Sequence, residues 1–398
     1  MTGQPPEMDQ ASGPALPDRP PISTPPSLSG PALRKAETQR FARQPGLGLA
    51  GLLLVVPVAA LFAFGGDGAA NSVKLFSPLV TFALPALAMV AFWWEDWPGS
   101  HLRPGWSGLL DTALIAVAAI LLAIVGQAIV GHLDFAGIFD PNPGPGHAAL
   151  FPASLPLAGG AFVAMLQLTL VCEGWPLRSL LPRLTAGIAA LVVSWGAAII
   201  LYYVAVDFHA PSGSGLTSQS GPVGGPELGA VLVLMGAWQV WIFVVWRGWP
   251  FANLHHRWVR IVAANIVVIG GAVLTYTVVH GPGGVSPAVI NAAAGSFVAA
   301  GLAIGMLFEG MFRSHLRSAP ERLATFVSAL IVATALYTLL TAYADSLDWT
   351  KPTSQEWVGH TALNAISVSI ILHVAVGRRW PFGDNTSSSG DKEGTKDP

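Results

Sequence analysis

The sequence predicts an all-α, polytopic integral membrane protein with about ten transmembrane helices. Of its 398 residues, 52% are hydrophobic and only 11% are charged, and the mean hydropathy is +0.56. Soluble domains carry about 25% charged residues, so this composition excludes an ordinary water-soluble fold. The apolar residues are grouped in long stretches, whereas a membrane β-barrel would show short segments of alternating polarity.

Ten apolar stretches are long enough, or nearly so, to cross the hydrocarbon core. A bilayer core is roughly 30 Å thick and a helix rises about 1.5 Å per residue, so a spanning helix needs about 20 apolar residues. The stretches run approximately over residues 47–64, 75–94, 107–131, 154–173, 185–206, 227–246, 259–280, 287–308, 323–343 and 358–376.

The distribution of cationic residues predicts the orientation of these helices. If the stretches alternate in direction, 18 of the 20 Lys and Arg residues fall on one side, and only Lys74 and Lys351 fall on the other. Cationic loops are retained on the cytoplasmic side of a membrane. We therefore expect a multi-pass protein of the cell (inner or plasma) membrane with both termini in the cytoplasm.

Outside the ten stretches, the composition predicts disordered tails and simple loops. Residues 1–46 contain ten prolines and no apolar run, and residues 378–398 are rich in Gly, Ser, Asp and Lys. Such segments bury too little apolar surface to offset their ordering entropy. The expected division is a Pro-rich disordered tail over 1–46, a transmembrane domain over 47–377 and a second disordered tail over 378–398. Segments 132–153 and 207–226 show no strand pattern and are expected to be loops.

A related string ends every second helix and indicates an internal repeat. Its pattern is an acidic or basic residue, any residue, then Trp and Pro. The tryptophans and prolines are Trp97, Pro98, Trp175, Pro176, Trp249, Pro250, Trp380 and Pro381, whereas the fourth string has Met311 and Phe312 at these positions. The string therefore predicts four similar two-helix hairpins flanked by single helices.

The simplest role of the string is a turn at the membrane surface. Tryptophan favours the headgroup boundary, where its ring is apolar and its N–H stays hydrated. Proline disfavours the helical conformation of the residue before it and so marks the helix end. Gly174 and Gly248 permit a sharp reversal of the chain.

The turn role does not explain why one position of the string is always charged. That position is occupied by Glu95, Glu173, Arg247, Glu309 and Arg378. If the repeats pack around one axis, these side chains lie at one depth, and a ring of Glu–Arg pairs offsets their desolvation. Two roles stay open beside a solvated surface position: a clasp between repeats, and a cytoplasmic gate whose pairs exchange during transport.

Histidines near the opposite helix ends suggest a second kind of site. His132, His209 and His280 follow odd-numbered stretches, and His360 opens the tenth. Imidazoles gathered from several helix ends could bind zinc, copper or haem. No pair of histidines has the spacing of a helical metal motif, and histidine is common at hydrated helix ends, so this site is the alternative rather than the leading hypothesis.

Signatures of soluble catalysis are missing from the sequence. It has no phosphate-binding loop of the Gly-Lys-Ser/Thr type, no His-Glu-x-x-His and, with one cysteine, no Cys-x-x-Cys. A net charge of −2 offers no excess of positive charge for nucleic acid. We expect a small-solute permease or transporter-like protein in the lipid bilayer. The alternatives are a haem- or metal-binding redox protein and a non-catalytic scaffold that uses its N-tail. No cofactor is required, and the oligomeric state stays open.

Overall fold

The computed structural model describes residues 39–141, 147–313, 316 and 318–383. Within these residues the chain is mostly helical, and ten helices are long and apolar enough to cross a membrane. Ten such helices indicate a multi-pass membrane protein. Residues 1–38 and 384–398, which hold most of both expected tails, lie outside the described residues.

The bounds of the ten helices are close to the apolar stretches of the sequence. They are α1 Gly46–Phe64, α2 Ala69–Trp93, α3 Pro104–Val130, α4 Ala153–Val171, α5 Arg183–Ala205, α6 Gly225–Val245, α7 Arg257–His280, α8 Pro287–Leu307, α9 Ser318–Ala344 and α10 Ser354–Val376. Helices α3, α6 and α8 begin with proline in the first turn, where its missing N–H costs no hydrogen bond. Helix α10 begins at a capping box of Thr353 and Glu356.

The five even-numbered helices form a closed ring. Helix α2 packs against α4, α4 against α6, α6 against α8, α8 against α10, and α10 against α2. In the most apolar stretch of each of these inner helices, 50% to 72% of the residues are buried, against 11% to 33% in the odd-numbered helices. The even-numbered helices are therefore inner helices, and the odd-numbered ones are outer helices.

Each outer helix occupies an equivalent groove of the ring. Helix α3 packs against α2 and the end of α10, α5 against α4 and the end of α2, α7 against α6 and the end of α4, and α9 against α8 and the end of α6. Helix α1 packs against α10 and the end of α8. The first helix thus stands where an eleventh would stand if the pattern continued.

Apolar side chains fill the inside of the ring. One contiguous cluster includes Leu84 of α2, Phe162 of α4, Leu234 of α6, Val298 of α8 and Ile371 of α10. Burial of large apolar side chains contributes about 1.5–3 kcal/mol each in water, but within lipid close van der Waals packing drives helix association instead. The inner helices are therefore held by shape complementarity along most of their length.

Two segments expected to be loops contain regular structure. The helix of which α4 is the spanning part begins at His147, within the segment 132–153. The segment 207–226 forms a small sheet from β1 Val206–Phe208, β2 Gln219–Ser220 and β3 Val223–Gly224. Strand β1 is central, antiparallel to β2 and parallel to β3. The expectation of no strands was wrong because strands of two or three residues are too short to show alternation in the sequence.

Candidate functional site

All five inner helices end in the same unusual way. The last residues of each wind as a π-helix, over Met89–Trp93, Gln167–Val171, Val240–Val245, Ala303–Leu307 and Leu372–Val376. Isolated π segments are rare in proteins, and many of those that do occur lie at functional sites. Their recurrence at five helix ends makes this end of the molecule, which we call the turn rim, the first candidate site.

The residues after each π segment reverse the chain through the left-handed region. The charged residue has a φ of +51° at Glu95, +56° at Glu173, +53° at Arg247 and +50° at Arg378. This conformation costs a residue with a side chain about 1–2 kcal/mol, so surrounding contacts must hold it. The residue that follows also has a positive φ, and glycine provides it without strain at Gly174, Gly248 and Gly310. The four Trp–Pro peptides that complete these turns are cis.

Among the residues that the structure describes, no ion pair joins two of the five charged turn residues. Glu95 pairs instead with Arg183, which opens the outer helix α5, at 3.0 Å between Oε2 and Nη1. Glu173 accepts a hydrogen bond of 2.7 Å from Nη2 of Arg260 in α7, and Arg257 lies 3.8 Å away. Each turn is thereby linked to the hairpin that follows it in the ring.

The remaining three links also run from the charged residue of one turn to the next unit in the ring. In two of them this turn residue is an arginine instead of a glutamate. Arg247 lies 3.4 Å from Glu321 of α9. Glu309 lies 3.5 Å from Arg379 of the fifth turn, and Arg378 donates a hydrogen bond of 3.0 Å to Asp96 of the first turn.

We call these five links the ion-pair belt. It consists of Glu95–Arg183, Glu173–Arg257/Arg260, Arg247–Glu321, Glu309–Arg379 and Arg378–Asp96. Each link joins one two-helix unit to the next, and the last link returns to the first unit. The sequence suggested that the charged turn residues pair with one another. In the structure each of them pairs instead with a different residue on the neighbouring unit. These residues are Glu95, Glu173, Arg247, Glu309 and Arg378.

Arginines also bind the backbone at the ends of neighbouring π segments. Arg178 of the second turn donates to the carbonyl oxygen of Phe92 at 2.5 Å, and its guanidinium lies 4.9 Å from the centre of the Trp93 ring. Arg379 of the fifth turn donates to the carbonyl oxygens of Met306 at 2.5 Å and Leu307 at 3.1 Å. These donors satisfy carbonyl groups that the end of a helix leaves unpaired.

The tryptophans of the turns make aromatic contacts that differ between units. Trp97 packs edge-on against Trp94, and Trp249 packs edge-on against Trp246, at 5.5 Å and 5.2 Å between ring centres. Trp175 instead contacts Trp258 of α7 at 4.3 Å. Trp380 is half exposed. The fifth turn continues to Gly383. The first residues of the disordered tail expected over 378–398 are therefore folded.

Asp96 is the carboxylate of the belt with the least favourable surroundings. Its side chain is 14% exposed, and its Oδ1 atom is buried without a hydrogen-bond partner among the described residues. Burial raises the pKa of Asp96 to about 6, against the lowering effect of Arg378; Asp111 and Glu95 raise it further. The folded state therefore favours the protonated form of Asp96 over the charged form.

This raised pKa predicts a pH dependence of stability that Asp96→Asn removes. An acid whose pKa is higher in the folded state stabilises the fold when protonated, so its contribution is present below its unfolded pKa of about 4 and is lost as pH rises through about 6. We expect the melting temperature of the natural protein, relative to that of Asp96→Asn, to fall between these pH values. Thermal unfolding in detergent across this range measures the difference. An equal pH profile for both proteins would contradict the assignment.

A second candidate site lies on the inner helices far from the turns. Five polar side chains, which we call the polar seam, are buried where α10 meets α2: Ser72, Ser77, Thr81, His360 and Asn364. Asn364 donates to Ser77 Oγ at 3.1 Å and to Thr81 Oγ1 at 3.4 Å. His360 Nε2 lies 2.9 Å from the carbonyl oxygen of Phe62 in α1 and 3.3 Å from Ser72 Oγ.

The helix that carries His360 and Asn364 is irregular at this point. A second π segment, Thr361–Ser367, interrupts α10 and contains Asn364. Helix α2, on the other side of the polar seam, contains Pro78 and Pro85, each of which removes one backbone hydrogen bond. Thr361 is buried, and its hydroxyl has no hydrogen-bond partner among the described residues. Both helices thus combine buried polar side chains with irregular backbone.

The histidines expected to form a metal or haem site have different surroundings. His209 is exposed and lies 3.4 Å from Asp207. His280 Nδ1 lies 2.8 Å from the carbonyl oxygen of Val285, and its ring stacks on Tyr276. His132 lies beside Gly215, and His360 belongs to the polar seam. Within the part of the chain that the structure describes, no three His, Cys, Asp or Glu side chains form a group that could hold a metal ion.

Sequence reasoning missed most of the residues that complete both sites. Arg183, Arg260 and Glu321 lie at the starts of outer helices and belong to no string. Ser77 and Thr81 have small hydroxyl side chains, which in helices commonly donate to a backbone carbonyl of their own helix. The Thr81 hydroxyl also makes such a bond, to the Ser77 carbonyl oxygen at 2.6 Å. A search for cationic or acidic residues at helix starts would have found the first group.

Comparison of the chain with protein-family models, curated proteins and solved structures yields no significant match.

Proposed function

We propose that the chain is a small-solute permease of the cell membrane, with its solute path along the polar seam. The observation that carries the proposal is that five buried polar side chains gather beside irregular backbone where α10 meets α2. Another buried polar contact between inner helices, that of Gln239 with Gln167, lies where α6 meets α4 and involves fewer side chains. Transporters commonly place their sites near the bilayer midplane at interrupted helices. Polar residues that are costly inside a membrane are retained there for function.

The depth of the polar seam supports this role. Asn364 lies about 15 Å from the start of α10, and Thr81 lies about 18 Å from the start of α2, at 1.5 Å rise per residue. Both positions are therefore near the middle of a hydrocarbon core about 30 Å thick. His360 and Ser72 lie closer to the helix starts, so the polar groups extend from that end of the bundle to its middle.

The proposal includes five repeated units rather than four hairpins with two single helices. The π ends of all five inner helices and the equivalent grooves of the outer helices support five units, and the left-handed charged residue recurs in four of them. In this arrangement α1 is the outer helix of the fifth unit and pairs with α10. The polar seam then lies at the interface between the fifth unit and the first.

The proposed orientation places the turn rim in the cytoplasm. It rests on the cationic residues, of which 18 of 20 fall on the side of the turns. The ion-pair belt would then hold the five units together at the inner leaflet. The polar seam would open toward the extracytoplasmic side, where α2 and α10 begin.

Solute flux through reconstituted vesicles tests the proposal. We expect vesicles that contain the protein to take up glycerol, urea or a neutral amino acid faster than empty vesicles. Asn364→Leu removes the donor that joins the two helices, and we expect it to lower uptake at least about tenfold, which corresponds to roughly 1.4 kcal/mol. The matched control is Ser296→Ala, because Ser296 is also buried in an inner helix but bonds only within that helix.

Each part of the proposal has its own contrary result. Uptake equal to that of empty vesicles for every one of these solutes would contradict the permease. An equal rate for Asn364→Leu and the natural protein would contradict the path along the polar seam.

A further inference from the structure

The first and fifth turns meet at the turn rim over the start of α3. The backbone N–H of Gly99, just after the first turn, donates to Asp111 Oδ1 of α3 at 3.0 Å. Gly108 of α3 lies so close to the fifth turn that an added side-chain carbon would be 3.0 Å from the Cα atom of Gly377. Helix α3 thus covers the rim end of the interface where α2 meets α10.

Three buried oxygen atoms at this junction have no hydrogen-bond partner among the described residues. They are Asp96 Oδ1 of the first turn and, in α3, Ser107 Oγ and Asp111 Oδ2. The side chains of Ser107 and Asp111 are fully buried, and their positions one helical turn apart place them on the same face of α3. Buried polar atoms normally have a partner, so these three indicate that the junction binds something more. We call Asp96, Ser107, Asp111 and Arg378 the junction cluster.

The charges of the junction cluster do not balance. Arg378 donates to Asp96 Oδ2 at 3.0 Å and also interacts electrostatically with Asp111. The Asp96 and Asp111 carboxylates repel each other. One guanidinium therefore faces two carboxylates, which leaves one negative charge without compensation in a buried place. Such a charge is costly, and a buried carboxylate without its own cation is normally neutralised by a proton.

The charged and titratable groups around the junction cluster are engaged elsewhere or exposed. Glu95 interacts with Asp96 but forms its own pair with Arg183 of α5. The remaining groups are Arg178, which donates to the Phe92 carbonyl oxygen, Arg379, which pairs with Glu309, and the exposed His101 and Arg103. Arg378 is therefore the cation that Asp96 and Asp111 share.

We propose that Asp96 and Asp111 together hold one exchangeable proton, and that binding of this proton opens the Arg378–Asp96 link between the fifth and first units. The proton comes from water at the turn rim and returns to it. Burial raises the pKa of Asp96 to about 6 although Arg378 lowers it. Opening the link removes the effect of Arg378, so the open state binds the proton more tightly and a lower pH favours opening.

The consequence for transport rests on the proposed function. The polar seam and the junction cluster lie toward opposite ends of one interface, that of α2 with α10. The Arg378–Asp96 link then closes the rim end of the solute path, and a proton at the rim makes the permease faster. The proton site itself stands whether or not the protein transports a solute.

Infrared difference spectroscopy of the purified full chain tests the proton site. As the pH falls through about 6, we expect the carbonyl band of one protonated carboxyl group to appear. Asp111→Asn leaves one carboxylate with one guanidinium, so the midpoint of this band should move to lower pH by about one unit or more. Arg378→Gln should move it to higher pH by a similar amount, a tenfold tighter binding of the proton.

The matched control for the infrared test is Glu321→Gln. Glu321 is a belt carboxylate with nearly the same exposure as Asp96, 15% against 14%, and it also pairs with one arginine. It has no second buried carboxylate beside it in the belt. We therefore expect Glu321→Gln to leave the band unchanged.

The reactivity of a cysteine at position 107 tests the opening at constant pH. Asp96→Asn imitates the protonated carboxyl group, so at about pH 8 it should expose the buried face of α3. With Cys172→Ser as background, we expect Ser107→Cys to react with a membrane-impermeant maleimide at least about fivefold faster when Asp96→Asn is present. Ser296→Cys, which is buried in α8, is the matched control and should react equally with and without Asp96→Asn.

Each part of the inference has a result that overturns it. The proton site is wrong if Arg378→Gln and Asp111→Asn both leave the midpoint in place, or if Glu321→Gln removes the band. The opening is wrong if Asp96→Asn leaves the reactivity of Ser107→Cys unchanged. Uptake no faster than that of empty vesicles overturns the permease alone, because neither test measures transport. Thermal unfolding verifies that each variant is folded, and Asp111→Asn keeps the infrared test decisive if Arg378→Gln is not.

Discussion

Replacing Arg379 with methionine is expected to lower the free energy of unfolding by about 3–5 kcal/mol, the largest effect of any single link in the belt. The Arg379 side chain is 7% exposed and contacts the carbonyl oxygens of Met306 and Leu307 as well as Glu309. Methionine fills a similar volume but donates to neither carbonyl oxygen nor to the Glu309 carboxylate, and of these acceptors Leu307 keeps a hydrogen bond from Gln44. Thermal unfolding in detergent measures the loss.

The matched control for this prediction is Arg183→Met. Arg183 also joins a turn carboxylate to the next unit, but its side chain is 40% exposed and that of Glu95 is 67% exposed. Pairs in contact with solvent contribute about 0–1 kcal/mol because water screens both charges. Equal effects of Arg379→Met and Arg183→Met would contradict the assignment of Arg379 as a buried clasp between the fourth and fifth turns.

Reversing the charge of Arg247 is expected to destabilise the protein in a way that Glu321→Arg repairs. Arg247→Glu places two carboxylates near each other at a position now occupied by a pair 3.4 Å apart. For a partly buried pair we expect a loss of about 2 kcal/mol, between the values for exposed and buried pairs. The double variant Arg247→Glu with Glu321→Arg restores an opposite-charge pair, and its melting temperature should recover most of the loss.

A second double variant shows whether the recovery is specific. Glu173 has the opposite charge to Arg247 and the equivalent place in the string, but its partners are Arg257 and Arg260. Combining Arg247→Glu with Glu173→Arg should therefore add two losses. Recovery in this second combination would mean that the turns pair directly with one another, as the sequence alone suggests, and would contradict the belt.

The string in the sequence does not indicate which residues pair at the turn rim. Tryptophan, proline and a charged residue are local signals, and α2, α4, α6 and α10 end a few residues before them. The partners of the charged turn residues lie far away in the sequence, because pairing depends on which helix start is the spatial neighbour of each turn. Arg183 and Glu321 are adjacent to Glu95 and Arg247 only through the circular order of the units, and a single sequence contains no local trace of that order.

The polar seam shows a different limit of sequence reasoning. His360 and Asn364 are visible as polar residues in an apolar stretch, but Ser77 and Thr81 resemble the hydroxyl residues of any membrane helix. Only the packing of α10 against α2 turns these residues into a continuous set of hydrogen bonds. Histidine alone suggested a metal site, because residue type was the sole information that the sequence offered.

The place of α1 in the ring has a consequence for biosynthesis. Of the ten helices α1 is made first, but besides α2 it packs against α10 and the end of α8, the last inner helices to be made. Arg43, just before α1, donates to the carbonyl oxygen of Phe382 at 2.9 Å, beyond the end of α10. During translation α1 can therefore contact α2 as soon as that helix is inserted, but the rest of its docking surface forms only when α8 and α10 have been inserted.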